Sequence, residues 1–459
     1  MSNESLIDAD RQFLIHPVAD YRAHEAQGAT LLTSGNGAWL HDADGNALLD
    51  GFAGLWCVNT GYGQPSIVKA ATEQLNRLPY ATGYFGFACA PAITLAQKLV
   101  ELTPPSLQHV YFTLGGSDAV DAAVRFITHY YNAIGKPAKK HFIALERGYH
   151  GSSSTGAGLT ALAAFHRNFD LPLATQHHIP SPYPYRSATP DDPQAIIAAS
   201  VAALEAKVGE LGAEHVAAFF CEPVQGSGGV IVPPRGWLRA MRDACRRLDI
   251  LFVADEVITG FGRTGPMFAC EAEEVSPDLM TLAKGLTAGY APMGAVLMSD
   301  GIYQAIADAA KGAPVGHGQT YSAHPVSAAI GLACLKLYVE DGLLANGQAH
   351  ARTFADGLDA LLDHPLVGDS RHRGLLGALE LVADKTTRRR FDPSLKLHER
   401  IGAAAYRNGV IFRAFGDNIL GFAPALCYTA DDFAELFSRV RATLDDVLEA
   451  ADVRAALHG

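Results

Sequence analysis

Over about residues 65–318 the chain alternates short apolar runs with helical stretches, and this alternation restricts the fold more than any other feature. The runs fall at residues 110–114, 141–145, 215–221, 250–254, 279–283 and 294–299. Near-continuous apolar strands are buried on both faces, which predicts a mostly parallel sheet covered by helices. In such sheets ligands gather beyond the carboxyl ends of the strands. The residues just past those ends are Gly116, Tyr149, Glu222, Asp255 and Lys284.

Asp255 and Lys284 are the costly members of that set. Ile250-Leu251-Phe252-Val253-Ala254 delivers Asp255-Glu256. Asp278-Leu279-Met280-Thr281-Leu282-Ala283 delivers Lys284 into Gly285-Leu286-Thr287-Ala288-Gly289. Desolvating a carboxylate or an amine is expensive. Taken singly, Asp255 reads as a turn or helix cap and Lys284 as a surface-loop residue. The pair reads differently. A desolvated lysine sheds its proton readily and can add to a carbonyl. An aspartate in the same site can hold the ring nitrogen of pyridoxal phosphate (PLP) protonated.

PLP also needs a phosphate cup and a flat neighbour. His109-Val110-Tyr111-Phe112-Thr113-Leu114 reads as a strand, followed by Gly115-Gly116-Ser117-Asp118-Ala119 and by Val120, Val124 and Ile127 at helical spacing. A strand, a glycine turn and a helix N-terminus together bring backbone N–H groups and a favourable dipole to a phosphate. Ser117 is expected to cap the helix and bond the phosphate at once. Alone, such a turn is weak support for a phosphate site. Lys140-His141-Phe142-Ile143-Ala144-Leu145 leads into Glu146-Arg147-Gly148-Tyr149-His150-Gly151, where Tyr149 is placed to lie over a pyridine face or to pack within its loop.

Taken with Cys221-Glu222-Pro223-Val224-Gln225-Gly226, Ala254-Asp255-Glu256-Val257-Ile258-Thr259-Gly260-Phe261-Gly262-Arg263-Thr264-Gly265, Ala283-Lys284-Gly285 and Gln319-Thr320-Tyr321-Ser322-Ala323-His324-Pro325, these segments resemble the class III, or omega-type, aminotransferases over nearly the whole chain. The resemblance implies an α/β fold of the fold type I PLP-dependent transferases. That fold has a large domain with a mostly parallel seven-stranded sheet and a smaller α+β domain built from both termini. The expected division is residues 1–64, 65–326 and 327–459. By resemblance, Asp255 pairs with the pyridinium nitrogen and Lys284 joins the cofactor covalently. Tyr149 stacks on the ring, Val257 is the apolar residue under it, and Gly116 and Ser117 form the phosphate cup. Glu222 joins the cofactor-binding set, and Thr320 is a phosphate ligand donated to a neighbouring subunit. A homodimer with shared active sites follows, or a tetramer built from it.

Composition is consistent with this. The net charge of −12 argues against a nucleic-acid surface. Arg388-Arg389-Arg390, the only strong basic run, reads as a solvated loop. The seven cysteines show no tight paired spacing, which suits free buried thiols in a reducing compartment. No charged-then-apolar leader opens the chain and no apolar run has membrane-span length, so a cytoplasmic protein without a membrane partner is expected. No Cys/His cluster has zinc spacing, no metal is expected, and His177-His178 reads as loop. Residues 1–28 are polar, with Arg22 and His24 on a helix. Leu31-Leu32, Ala38-Trp39-Leu40 and Ala47-Leu48-Leu49-Asp50 read as a meander, 180–185 as an extended loop and 327–340 as a helix. Residues 374–381 and 409–413 read as strands and 429–458 as amphipathic helix.

Substrate choice is written more faintly. Arg413 precedes Ala414-Phe415-Gly416-Asp417 and matches the mobile arginine of the amine–pyruvate transaminases, which binds a keto-acid carboxylate and swings away for an apolar amine. The alternative is a surface salt bridge. Leu55-Trp56-Cys57-Val58-Asn59-Thr60-Gly61-Tyr62-Gly63 resembles the same subgroup, with Trp56 walling the pocket and Tyr84 in the place of a second aromatic wall. The implied partners are an amine or ω-amino acid donor and pyruvate. The phosphate loop has Asp118 where many relatives carry Glu, and Gln319 stands where amine transaminases carry an aromatic, which alters the rim of the phosphate site. Competing readings are a 2-oxoglutarate-dependent ornithine or 4-aminobutyrate aminotransferase, a semialdehyde aminomutase, and a non-catalytic PLP-fold binding protein.

Overall fold

The computed structural model describes residues 2–457. Its largest sheet has seven strands in the order Leu107–Thr113, Gly294–Ser299, Leu279–Leu282, Leu251–Asp255, Val216–Cys221, His141–Leu145 and Gln176–Ile179. Only Gly294–Ser299 runs antiparallel to its neighbours. The central strands Val216–Cys221 and Leu279–Leu282 are buried at every residue, as their unbroken apolar runs require. Helices cover the sheet. Gly116–Ala133 packs Ala119, Val120, Ala123 and Ile127 into one apolar cluster with Phe220, Val253 and Val296 of the strands. Trp237–Arg247 lies in the larger core with Phe219 and Phe252.

Two four-stranded sheets stand outside this layer. The meander Leu32–Asn36, Trp39–Asp42, Ala47–Asp50 takes Val410–Ile411 as a parallel fourth strand, so N-terminal and C-terminal segments share a sheet. The other sheet orders Val367–Arg373, Leu376–Leu381, Ile419–Phe422 and Arg413–Ala414. Helix Ala430–Leu448 begins at Thr429, whose side chain accepts from Asp432 N in a capping box. A second helix, Ala451–Ala456, completes the expected helical region, whose last residue, His458, lies outside the described residues.

Three local expectations need correction. His177-His178 is not loop but the middle of the edge strand Gln176–Ile179, where only the two end residues are buried. An edge strand leaves one side open, so its polar residues persist and disguise it. The single strand expected over 409–413 is broken at Phe412 and serves two sheets. Within the basic run Arg389 and Arg390 are exposed, as expected, but Arg388 is half-buried: its Nη1 donates to Tyr185 O at 3.0 Å and its guanidinium lies 5.1 Å from the Tyr185 ring centroid. No helix among the described residues is long and apolar enough to cross a membrane.

Candidate active site

Beyond the carboxyl ends of the strands lies a cavity of about 880 Å³. Gly116, Ser117, Tyr149, Glu222, Asp255, Val257, Lys284, Trp56 and Arg413 all line it. Each of the first seven ends or follows a strand of the large sheet, so the sheet gathers residues that are distant in sequence.

Asp255 closes its strand in register with Thr281 of the next. Thr281 Oγ1 donates to Asp255 Oδ1 at 3.0 Å, and Val257 N donates to the same oxygen at 3.2 Å. The other oxygen, Oδ2, faces His150 Nδ1 at 2.7 Å, with both side chains buried. Burial alone would lower the imidazole's proton affinity, but the Asp255 carboxylate outweighs it and the net shift is upward. His150 Nε2 is left buried without a partner. Nothing in the sequence alone assigns a role to His150, the neighbour of Tyr149. Its position next to a stacking aromatic, in a loop following a strand, was the available signal.

Glu222 spans the same loop. Its Oε1 accepts from Tyr149 N and its Oε2 from Gly226 N, each at 2.9 Å. Burial pushes its carboxyl up to about 7, against the pull of His150. Lys284 sits just past its strand with φ 42°, a left-handed conformation that costs a non-glycine residue about 1–2 kcal/mol. Backbone strain of this kind persists where the surroundings over-determine it. Burial lowers the Lys284 amine, and Asp255 and Glu222 oppose that shift.

Ser117 does not cap its helix. The helix runs Gly116–Ala133 with Gly115 as its cap residue, and no side chain caps it. Ser117 therefore stands inside the first turn, where its Oγ accepts from Ser152 N at 3.1 Å. A capping hydroxyl must precede the helix, and the glycine pair takes that place. The first-turn N–H groups are consequently free of side-chain caps.

Trp56 is buried, with φ 60°, and meets Phe52 edge-on at 4.4 Å between centroids. The Arg413 guanidinium lies 5.5 Å from the Phe415 ring centroid. No described carboxylate lies within 4.0 Å of it. Arg413 is exposed at the edge of the cavity, and partial desolvation by its neighbours lowers its proton affinity. A second cation of the cavity, Arg147, is already engaged. Its Nη2 meets Asp417 Oδ2 at 2.5 Å and its Nε donates to Gly228 O at 2.8 Å.

Tyr84 and Thr320 do not line this cavity. Both are exposed and belong to one edge of the chain. Tyr80 Oη donates to Thr320 O at 3.0 Å, and a Cβ on Gly318 would fall 2.2 Å from Tyr84 Oη. Gln319, flagged at the rim, donates through Nε2 to Asp118 Oδ1 at 3.3 Å.

The model of the family described as "Aminotransferase class-III" matches residues 21–444. The chain belongs to the class III aminotransferases. It is 40% identical over 442 residues to a putrescine–pyruvate aminotransferase of Pseudomonas aeruginosa, covering 96% of each chain. It is 38% identical to a diaminobutyrate–2-oxoglutarate transaminase of Halomonas elongata, covering 99% of each. The solved omega transaminase of Pseudomonas jessenii in complex with PMP superposes with a TM-score of 0.94 at 37% identity, covering 97% of this chain and 98% of that one. The chain is therefore an aminotransferase of fold type I, and its cofactor is PLP.

The residues present fit that cofactor. A Cβ on Gly116 would lie 3.0 Å from Val257 Cγ1, so only glycine leaves the helix start open beside Val257. The uncapped N-terminus of the helix supplies donors for a phosphate. Asp255, held by three hydrogen bonds, offers an anion to a ring nitrogen. Lys284 offers an amine, and Val257 and Tyr149 offer apolar faces.

Proposed function

We propose that the protein moves an amino group from an apolar amine or an ω-amino acid to pyruvate by a ping-pong mechanism. The observation that carries this reading is Arg413, the one guanidinium lining the cavity that has no acidic partner among the described residues. Phe52, Trp56, Phe165 and Phe415 line the same cavity with apolar surface. A keto-acid carboxylate would take a charge-assisted, bidentate bond from Arg413. An uncharged amine side chain would instead pack on the aromatic walls.

Bound PLP supplies an electron sink for the carbon whose proton is lost. Asp255 would hold the ring nitrogen of that group, and His150 fixes the carboxylate through Oδ2. Lys284, with its proton affinity lowered by burial, would take up and hold the proton lost from the substrate carbon. Glu222 ties the Tyr149 loop to the strand ends, so that Tyr149 is held at the cavity wall.

The 2-oxoglutarate reading requires a second cation for the second carboxylate. Arg147 is the candidate, and Asp417 and Gly228 O already occupy it. Hence pyruvate is preferred, although one relative is named for 2-oxoglutarate. A panel of amine donors with each acceptor tests this. Faster turnover with pyruvate across apolar amines supports the reading, and turnover with 2-oxoglutarate alone sinks it.

The edge carrying Tyr84 and Thr320 also presents Phe85, Phe87 and Tyr321, all exposed. A second copy of the chain is the proposed cover, with Thr320 reaching the partner's phosphate site. A fully active monomer in sedimentation at assay concentration would refute this. The seven cysteines are all free, which supports a reducing, cytoplasmic location. The shared N- and C-terminal sheet supports the division at residues 1–64, 65–326 and 327–459.

A further inference from the structure

We propose that Asp10, His16 and His24 bind one divalent transition-metal ion, zinc foremost, which fastens the N-terminal segment beside the mouth of the cavity. Asp10 lies in the last turns of helix Asn3–Phe13, His24 in helix Tyr21–Gln27, and His16 in the connection between them. One ligand atom from each falls within 4.8 Å of the others. His16 Nε2 is 2.8 Å from Asp10 Oδ1, and the two imidazole centroids are 4.4 Å apart.

The decisive contact is the third. His24 Nε2 approaches Asp10 Oδ2 to 3.2 Å, within reach of an ion pair but out of line for a hydrogen bond, and both atoms are buried. Leaving a buried acceptor and a ring nitrogen side by side and unsatisfied is unfavourable. An ion between them satisfies both. Ligand bonds of roughly 2.0–2.2 Å, the usual zinc range for imidazole and carboxylate, place neighbouring ligand atoms about 3 Å apart. Two imidazoles and a carboxylate suit zinc, nickel or copper, and three protein ligands leave a fourth position for water.

The ligand geometry is set by the local sequence. Ser2 caps the first helix through Ser5 N, and Asp20 caps the second through Arg22 N and Ala23 N. Pro17 and Val18 follow His16 directly and line the cavity, with Val18 at φ 53° and largely exposed. Fixing His16 therefore fixes what stands at that edge of the cavity. This inference is independent of the substrate reading.

The test uses untagged holoenzyme carrying His141→Ala, which removes the other close imidazole pair, His141 Nδ1 to His177 Nε2 at 2.7 Å. After chelator treatment, zinc chloride is titrated by calorimetry. One site per chain is expected, weakened about a hundredfold or more by His24→Gln or Asp10→Asn, since each removes a direct ligand. Copper(II) at one equivalent should show hyperfine splitting from two nitrogens by electron paramagnetic resonance, falling to one in His24→Gln. No saturable site, or zinc affinity unchanged in both variants, overturns the proposal. A copper spectrum without two-nitrogen coupling in the unsubstituted cluster overturns it even if the variants fail to fold. Either result would show the cluster to be a carboxylate shared by two imidazoles.

Discussion

Arg413→Ala should slow the keto-acid half-reaction and spare the amine half-reaction. The guanidinium has no acidic partner among the described residues to release and lies over the Phe415 ring, so its removal should leave the fold little changed. What is lost is a charge-assisted bond to an incoming carboxylate, about 1.5–3 kcal/mol, with a further contribution from leaving that carboxylate unpaired between aromatic walls. The total is roughly 2–4 kcal/mol, or about thirtyfold to a thousandfold in the specificity constant for pyruvate. Arg147 cannot compensate, because Asp417 and Gly228 O hold it in place. Arg413→Lys keeps the charge without the planar fork and should fall between wild type and Ala. Each half-reaction is followed separately by the loss or recovery of cofactor absorbance in stopped flow. An uncharged amine donor should change less than about threefold, within the scatter of ordinary surface substitutions. Equal losses in both half-reactions, or no loss with pyruvate, would show that another group reads the carboxylate.

His150→Phe removes the 2.7 Å contact to Asp255 Oδ2 and leaves the two bonds to Oδ1. We expect kcat to fall about tenfold to a hundredfold with KM nearly constant, from a charge-assisted bond worth about 1.5–3 kcal/mol. The absorbance of the bound cofactor should then titrate at a shifted pH, and an unshifted spectrum would assign His150 a packing role alone. Glu222 has a folded value of about 7 against an ordinary 4.5, so the folded state holds an extra proton between those values. Its stabilisation is therefore complete below the ordinary value and lost as pH rises through the folded one, by at most about 3 kcal/mol. Glu222→Gln should flatten the pH profile of thermal stability over that window. Parallel profiles for variant and wild type would place the titration elsewhere.

Strand-end residues were legible in the sequence because burial on both faces marks central strands. Val216–Cys221 and Leu251–Asp255 could be recognised for that reason, and Glu222 and Asp255 followed from them. The edge strand Gln176–Ile179 was hidden by its histidines, which the open side tolerates. The break at Phe412 was hidden because Val410-Ile411-Phe412-Arg413 carries no turn residue, while the strands that pair with its two halves are far apart in sequence. His150 could not be paired with Asp255 from sequence, since nothing local connects residues brought together only by the sheet. The Arg371, Glu380, Tyr183 and Arg186 network behind the Arg147 loop was invisible for the same reason. Ser117 was misplaced by two residues, because the helix begins at the second glycine of the pair and takes the first as its cap.

We propose that Lys284 is the lysine that joins the cofactor, in the cavity it lines with Asp255. Borohydride reduction of the intact holoenzyme, followed by peptide mapping, tests it most directly. The label should fall on the peptide containing Ala283-Lys284-Gly285, and Lys284→Ala should abolish turnover while cofactor remains bound without covalent attachment. Recovery of the label on another lysine, or sustained turnover by Lys284→Ala, would contradict the account.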